Sequence, residues 1–143
     1  MAKMASVLEE EPGNLKELES LSKPALIGAV TRGLSADLAR EFARTAQITL
    51  EELAALLHLT LRTLQRRLEE GRLGFRESER LWELAHLFSR SIEVLESNEG
   101  AVHWFKSPLQ VLRLATPLEY ARTAVGIREL ECILGRIEHG VFS

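Results

Sequence analysis

Apolar residues recur at intervals of three and four along almost the whole chain, and almost nothing alternates strictly between apolar and polar. A period near 3.6 marks amphipathic helices, whereas strict alternation would mark strands. Leu, Ala, Glu and Arg, all good helix formers, dominate the sequence. The pattern predicts an all-α protein. Its punctuation predicts where helices start and stop. Pro24 suits the first turn of a helix to about Arg32, and Gly33 ends it. Ser35 is placed to cap a helix to about Ala46, with Leu38 and Phe42 facing inward. Thr49 and Glu52 form a capping-box pattern that opens a helix over 50–57, burying Leu53, Leu56 and Leu57. Thr60 caps the next, over 61–70, which Gly71 closes. A long run over about 75–97 would turn Leu81, Leu84, Ala85, Phe88, Ile92 and Leu95 to the core. Short helices are expected at 101–105, 108–114 and 116–121, the last capped by Thr116 with Pro117 in its first turn. A final helix spans 126–138. Trp104, Phe105 and Cys132 are expected in the core.

One stretch carries more than fold. "ITLEELAALLHLTLRTLQRRL" (48–68) places two short helices around His58-Leu59-Thr60. Ala54 falls where the helices of a helix–turn–helix touch, and a small side chain there permits close approach. Leu53, Leu57, Leu59 and Leu64 are spaced to fill the core between them. The second helix then presents Thr60, Arg62, Gln65, Arg66 and Glu69 outward. Arg can bind guanine bidentately in the major groove, Gln can do the same to adenine, and Thr can bond base or phosphate. Arg72, beyond the helix, is placed for a phosphate contact. A plain helical hairpin with a solvated Arg face is the other reading of the same pattern. One such unit covers little DNA, so DNA binding implies a homodimer.

Charge sharpens this picture. The chain of 143 residues has a formal net charge of −3, so it is not basic as a whole. Residues 59–76 nevertheless carry five arginines against two glutamates. A locally basic segment in an acidic chain points to a nucleic-acid face. The single cysteine, Cys132, excludes an internal disulfide and a thiolate metal cluster and favours a reducing compartment. No apolar run approaches the ~20 residues of a membrane span, and the first residues lack a signal-peptide core. A cytoplasmic location is expected. His58, His86, His103 and His139 lack metal-ligand spacing, and no phosphate loop or nucleophile elbow occurs. Neither a cofactor nor catalysis is expected.

The C-terminal stretch "LGRIEHGVFS" raises a separate question. Val141 and Phe142 follow Gly140, where chain ends are usually polar and frayed. The pair either anchors in an apolar pocket of another protein or folds back on its own last helix.

Residues 33–143 resemble the Xre/MbcA/ParS-type antitoxins of bacterial type II toxin–antitoxin modules. The resemblance rests on "GLSADLAREFA" (33–43), "RTLQRRLEEGRL" (62–73), "ESERLWELAHLF" (77–88) and "TPLEYARTAVGIRELECILGRIEHGVFS" (116–143). It implies an Xre-like helix–turn–helix domain followed by an α-helical toxin-binding domain. The divisions expected are a mobile tail over 1–23 with at most a short helix at 15–21, a DNA-binding domain over 24–74 and a toxin-binding domain over 75–143. The resemblance further implies that the partner is a RES-type toxin acting on NAD, and that the antitoxin is a dimer that represses its own operon. Arg136, Glu138, His139, Gly140, Val141, Phe142 and Ser143 would then cover the toxin's active site. Two departures stand out. His58 replaces the turn glycine. "SPLQVLRLA" (107–115) stands where the family usually has a "PNxALGGR"-like stretch, which predicts a more helical connection here. The alternative function is a stand-alone dimeric transcriptional regulator with a helical dimerisation domain.

Overall fold

The computed structural model describes residues 9–140. Helices run over α1 (Leu15–Ser20), α2 (Lys23–Arg32), α3 (Ala36–Ala46), α4 (Leu50–Leu56), α5 (Leu61–Glu70), α6 (Phe75–Leu95), α7 (Asn98–Lys106), α8 (Pro117–Tyr120) and α9 (Ala124–Glu138), with a 3-10 turn at Gln110–Leu112. The capping residues do what their chemistry predicts. Thr49 Oγ1 accepts from the Glu52 N–H at 3.0 Å while Glu52 Oε1 accepts from the Thr49 N–H at 2.9 Å, a complete capping box. Thr60, Thr116 and Thr123 each accept from the N–H three residues on.

The chain divides into two compact units, one of the residues up to Arg44 with Ile48–Trp82, the other of Thr45–Gln47 with the residues from Glu83 onward. The division therefore falls inside α6 and not ahead of it at 74/75, because the first turns of α6 belong to the first unit's packing.

In the first unit Leu34, Leu38, Leu53, Leu64 and Leu81 are fully buried. Leu18 joins them at 1% exposure, and the Leu15 N–H donates to Glu41 Oε1 at 2.9 Å. The tail expected through residue 23 is thus corrected from Asn14 on: the Asn14 cap, one buried leucine and the tie to Glu41 hold α1 against the unit. The segments around Ser35 and Arg72 pair as one antiparallel bridge, through Leu73 N–H to Leu34 O (2.8 Å) and Ala36 N–H to Gly71 O (2.9 Å). Gly33 makes this approach possible, since a Cβ there would lie 2.3 Å from the Leu73 carbonyl and its φ is +96°. The buried Ser78 hydroxyl accepts from the Leu34 N–H at 2.7 Å, closing the joint from α6.

Beside this joint, Arg67 Nε donates to Glu77 Oε1 at 2.9 Å, and the Gly74 N–H donates to the same oxygen at 3.1 Å. Burial pushes the Glu77 carboxyl up. The hydrogen bonds from Arg67 and the Glu77 and Gly74 backbone outweigh it and hold the carboxyl below the usual carboxylate range. The unfolded chain, with an ordinary Glu near ~4.3, binds this proton first as pH falls. The contribution to stability is therefore whole above that value and is lost as pH drops through the lower folded value. Glu77→Gln should cost roughly 1–2 kcal/mol at neutral pH. Chemical denaturation across pH should show the gap to wild type closing in acid. A gap that stays constant with pH would contradict this role for Glu77.

In the second unit Phe105 packs 5.2 Å from both Phe88 and Trp104, edge-on to the latter, so Trp104 and Phe105 are core residues as expected. Three details differ from expectation. The buried stripe of α6 continues through Leu87 and Ser91, leaving Ile92 and Leu95 half-buried; Ser91 is tolerated there because its hydroxyl donates to the Phe88 carbonyl. Cys132 is exposed. The buried face of α9 is Ile127, Leu130, Ile133 and Leu134, and a residue two on from Leu130 points the opposite way. Finally, 108–114 is not a helix. Leu109 is extended and supplies no capping side chain, so the segment makes only one 3-10 turn and then folds back.

Candidate functional site

Two regions carry the residues singled out by the sequence, one in each unit. In the first, the helix–turn–helix turn is a C-capping motif built on His58. The Leu59 N–H bonds to Ala54 O at 2.8 Å and the His58 N–H to Ala55 O at 3.2 Å, with His58 at φ +60°. This is the left-handed position that glycine fills most easily. Histidine adopts it here at some strain. Arg80 donates to Leu56 O from both Nε and Nη2, which satisfies the end of α4 from a residue no local pattern would have flagged. Ala54 is buried with Leu53, Leu57 and Leu64, as the core spacing required, while Leu59 is only half-buried.

This packing fixes which face of α5 meets water. Leu64 and Leu68 are buried, and Arg62, Gln65, Arg66 and Glu69 are exposed at positions i, i+3, i+4 and i+7. Thr60 is exposed at the N-cap. Among the described residues Arg62, Gln65 and Arg66 make no hydrogen bond or ion pair, so their heads are available for another molecule. Arg67 is on the flank and is held by Glu77 and Glu70. Arg72 stands apart from this group. Its Nη1 donates to Gly33 O at 2.5 Å and lies 3.5 Å from Glu11, so its guanidinium is already engaged within its own unit.

In the second unit, α9 closes at His139. The Gly140 N–H bonds to Ile137 O at 3.1 Å, and Gly140 has φ +70°, a left-handed backbone that does not continue the helix. Glu138 does not face outward unpaired. Arg90 grips both its oxygens at 2.8 and 3.0 Å, and this hydrogen bonding holds the Glu138 carboxyl below the usual range and raises Arg90. Arg136 lies 3.4 Å from Glu129. Of the expected partner-binding residues, His139 and Gly140 are exposed, Arg136 and Glu138 are held in intramolecular pairs, and Val141, Phe142 and Ser143 lie outside the described residues. Arg90 is the residue the sequence did not disclose, since its partner is 48 positions away. Among the described residues no helix is long and apolar enough to cross a membrane, and no three His, Cys, Asp or Glu side chains group as metal ligands.

Comparison with known proteins bears on both regions. Residues 25–86 match the antitoxin Xre-like helix-turn-helix domain, and residues 90–140 match the antitoxin Xre/MbcA/ParS C-terminal toxin-binding domain. An "Antitoxin Xre" from Yersinia enterocolitica is 28% identical over 82% of this chain and 81% of its own. Another from Photorhabdus laumondii is 23% identical over 87% and 85%. A chain in the crystal structure of the M. tuberculosis MbcT–MbcA toxin–antitoxin complex shares the fold, with a TM-score of 0.58 at 20% identity over 76% of this chain and 96% of that one.

Proposed function

The chain belongs to the Xre/MbcA/ParS antitoxin family, and on that premise we propose that its second unit silences a RES-type, NAD-consuming toxin while its first unit represses its own operon. The observation that carries the reading is the joint presence of two parts on one chain. A helix–turn–helix with an unengaged Arg-Gln-Arg face precedes a unit matched to a toxin-binding domain. The shared fold with a member of the MbcT–MbcA complex supports the same arrangement.

On the DNA side, Thr60, Arg62, Gln65 and Arg66 enter the major groove. A homodimer sets its two α5 helices about 34–36 Å apart, one turn of duplex. Arg72 is left out of the reading set because Gly33 and Glu11 hold it. On the toxin side, the turn at Gly140 delivers Val141 and Phe142 into the cleft where NAD is consumed, and His139 rims it. The Arg90–Glu138 pair stiffens the end of α9 so that this delivery is directional; surface pairs add little stability by themselves. The chain itself then needs no reacting group, because exclusion of NAD from the cleft is sufficient.

The test is co-expression with its cognate RES-type toxin, reading growth and cellular NAD. The reading expects NAD to be held at its normal level with the chain present and depleted without it. Depletion that proceeds equally in both cases contradicts the toxin assignment.

A further inference from the structure

The segment between α7 and α8 has a property that its sequence alone does not show. Its ends are tied to each other: the Leu109 N–H donates to Ala115 O at 3.1 Å, and the Leu114 N–H donates to Leu109 O at 2.9 Å. Leu112 is buried and pins the loop to its own unit. Between and after these anchors, Val111 is 51% and Leu114 66% exposed, and Arg113 is exposed as well. Arg113 and Leu114 both sit in the left-handed region, at φ +56° and +70°. Non-glycine residues rarely adopt that conformation singly, and two in succession is strained. Glycine would relieve the strain.

The left-handed backbone closes the loop, but the leucine and arginine side chains recover none of its cost, since neither is buried. Strain of this kind persists where it presents a side chain for use. The loop is also tied down: five backbone hydrogen bonds, among them Arg113 N–H to Gln110 O, and one buried leucine hold it before any partner arrives. A preorganised loop with exposed apolar residues and one cation is a good binding element, because little ordering entropy remains to be lost on association.

We propose that Val111, Arg113 and Leu114 form a second toxin-contact patch, separate from the segment after Gly140, that selects which toxin the chain accepts. This rests on the toxin-binding reading above. The occupant is assigned as the toxin because the loop lies within residues 90–140, the part of the chain matched to the toxin-binding domain. The two elements divide the work. The chain after Gly140 blocks a cleft that all toxins acting on NAD must share, and the loop meets surface that differs between toxins.

The test uses the full chain with Arg113→Gly/Leu114→Gly, and separately with Val111→Ser. The first should leave the thermal midpoint equal to or above that of wild type, because glycine relieves the left-handed strain. It should nevertheless weaken binding to the purified cognate toxin by at least about tenfold, as loss of an apolar anchor does. Val111→Ser should weaken binding in the same direction. A stable double-glycine variant that binds the toxin as tightly as wild type overturns the patch. So does one whose toxin affinity holds while its own oligomeric state changes in sedimentation, since the occupant is then a second copy of the chain. If the wild-type chain itself does not bind the toxin, the functional reading fails first and the patch with it.

Discussion

A chain carrying Arg62→Ala and Arg66→Ala together should bind its operator about 100-fold or more weakly, with its thermal midpoint unchanged. Each arginine that reads a base bidentately contributes roughly 1–3 kcal/mol of discrimination. The two are neighbours on one face of α5, so their effects are not fully additive. About 3 kcal/mol for the pair is the conservative figure, and that is about 100-fold. Stability should not change because neither side chain holds α5 in place. That work is done by Leu64, Leu68 and the Thr60 cap, with Gly71 ending the helix. Fluorescence anisotropy on promoter DNA and on a scrambled duplex separates the terms. Operator binding should collapse toward the level of the scrambled sequence, which itself weakens less. An undiminished operator affinity would remove α5 from the role of reading helix.

Gly126→Ala should be the most damaging single methyl group in the second unit. Gly126 is buried in the first turn of α9, under the chain that leaves α8. A Cβ at this position would lie 1.7 Å from the Tyr120 carbonyl oxygen and 2.6 Å from its carbon. These are backbone atoms, so no rotamer change relieves the overlap; either α9 or the 120–123 corner must move. That corner also holds the Thr123 cap, whose hydroxyl accepts from the Gly126 N–H at 2.9 Å. Overpacking of a closed site costs roughly 1–3 kcal/mol and occasionally more. The backbone contact puts this case near the top, about 3 kcal/mol. For a chain of this length that lowers the thermal midpoint by roughly 10 °C. Calorimetry checks it directly, with Gly135→Ala as control, because a Cβ at Gly135 meets nothing within 4 Å. A midpoint for Gly126→Ala equal to that of the control would contradict the packing described.

The helices were legible because their boundaries are local events. Thr49 with Glu52, Thr60, Thr116 with Pro117, and Gly71 each act within four residues, so a single sequence contains both partners. The exposed face of α5 was legible for the same reason: Arg62, Gln65 and Arg66 face away from Leu64 and Leu68 by helical period alone. What could not be read depends on distant partners or on a rotation of a few tens of degrees. Arg90 finds Glu138, and Ser78 finds Leu34, across more than forty positions. Cys132 looked like core because small cysteines usually are, yet it sits two residues from Leu130 on the outer face of α9. The loop at 108–114 reads as helical by composition. Its closure depends on left-handed backbone at Arg113 and Leu114, which residue type argues against. Nor could the sequence show that Arg72, expected at a phosphate, also meets Gly33 and Glu11, because both partners are far from it along the chain.

The central claim is the proposal that the residues after Gly140 close the toxin's NAD-consuming cleft. It is tested most directly by titrating the purified toxin, while it turns over NAD, with the wild-type chain and with Val141→Ser/Phe142→Ala. Loss of a fully buried aromatic anchor costs about 2 kcal/mol or more. The account therefore predicts that the variant, with an unchanged thermal midpoint and unchanged operator binding, needs roughly 30-fold more protein to stop NAD consumption. Superimposable inhibition curves for the two chains would contradict it.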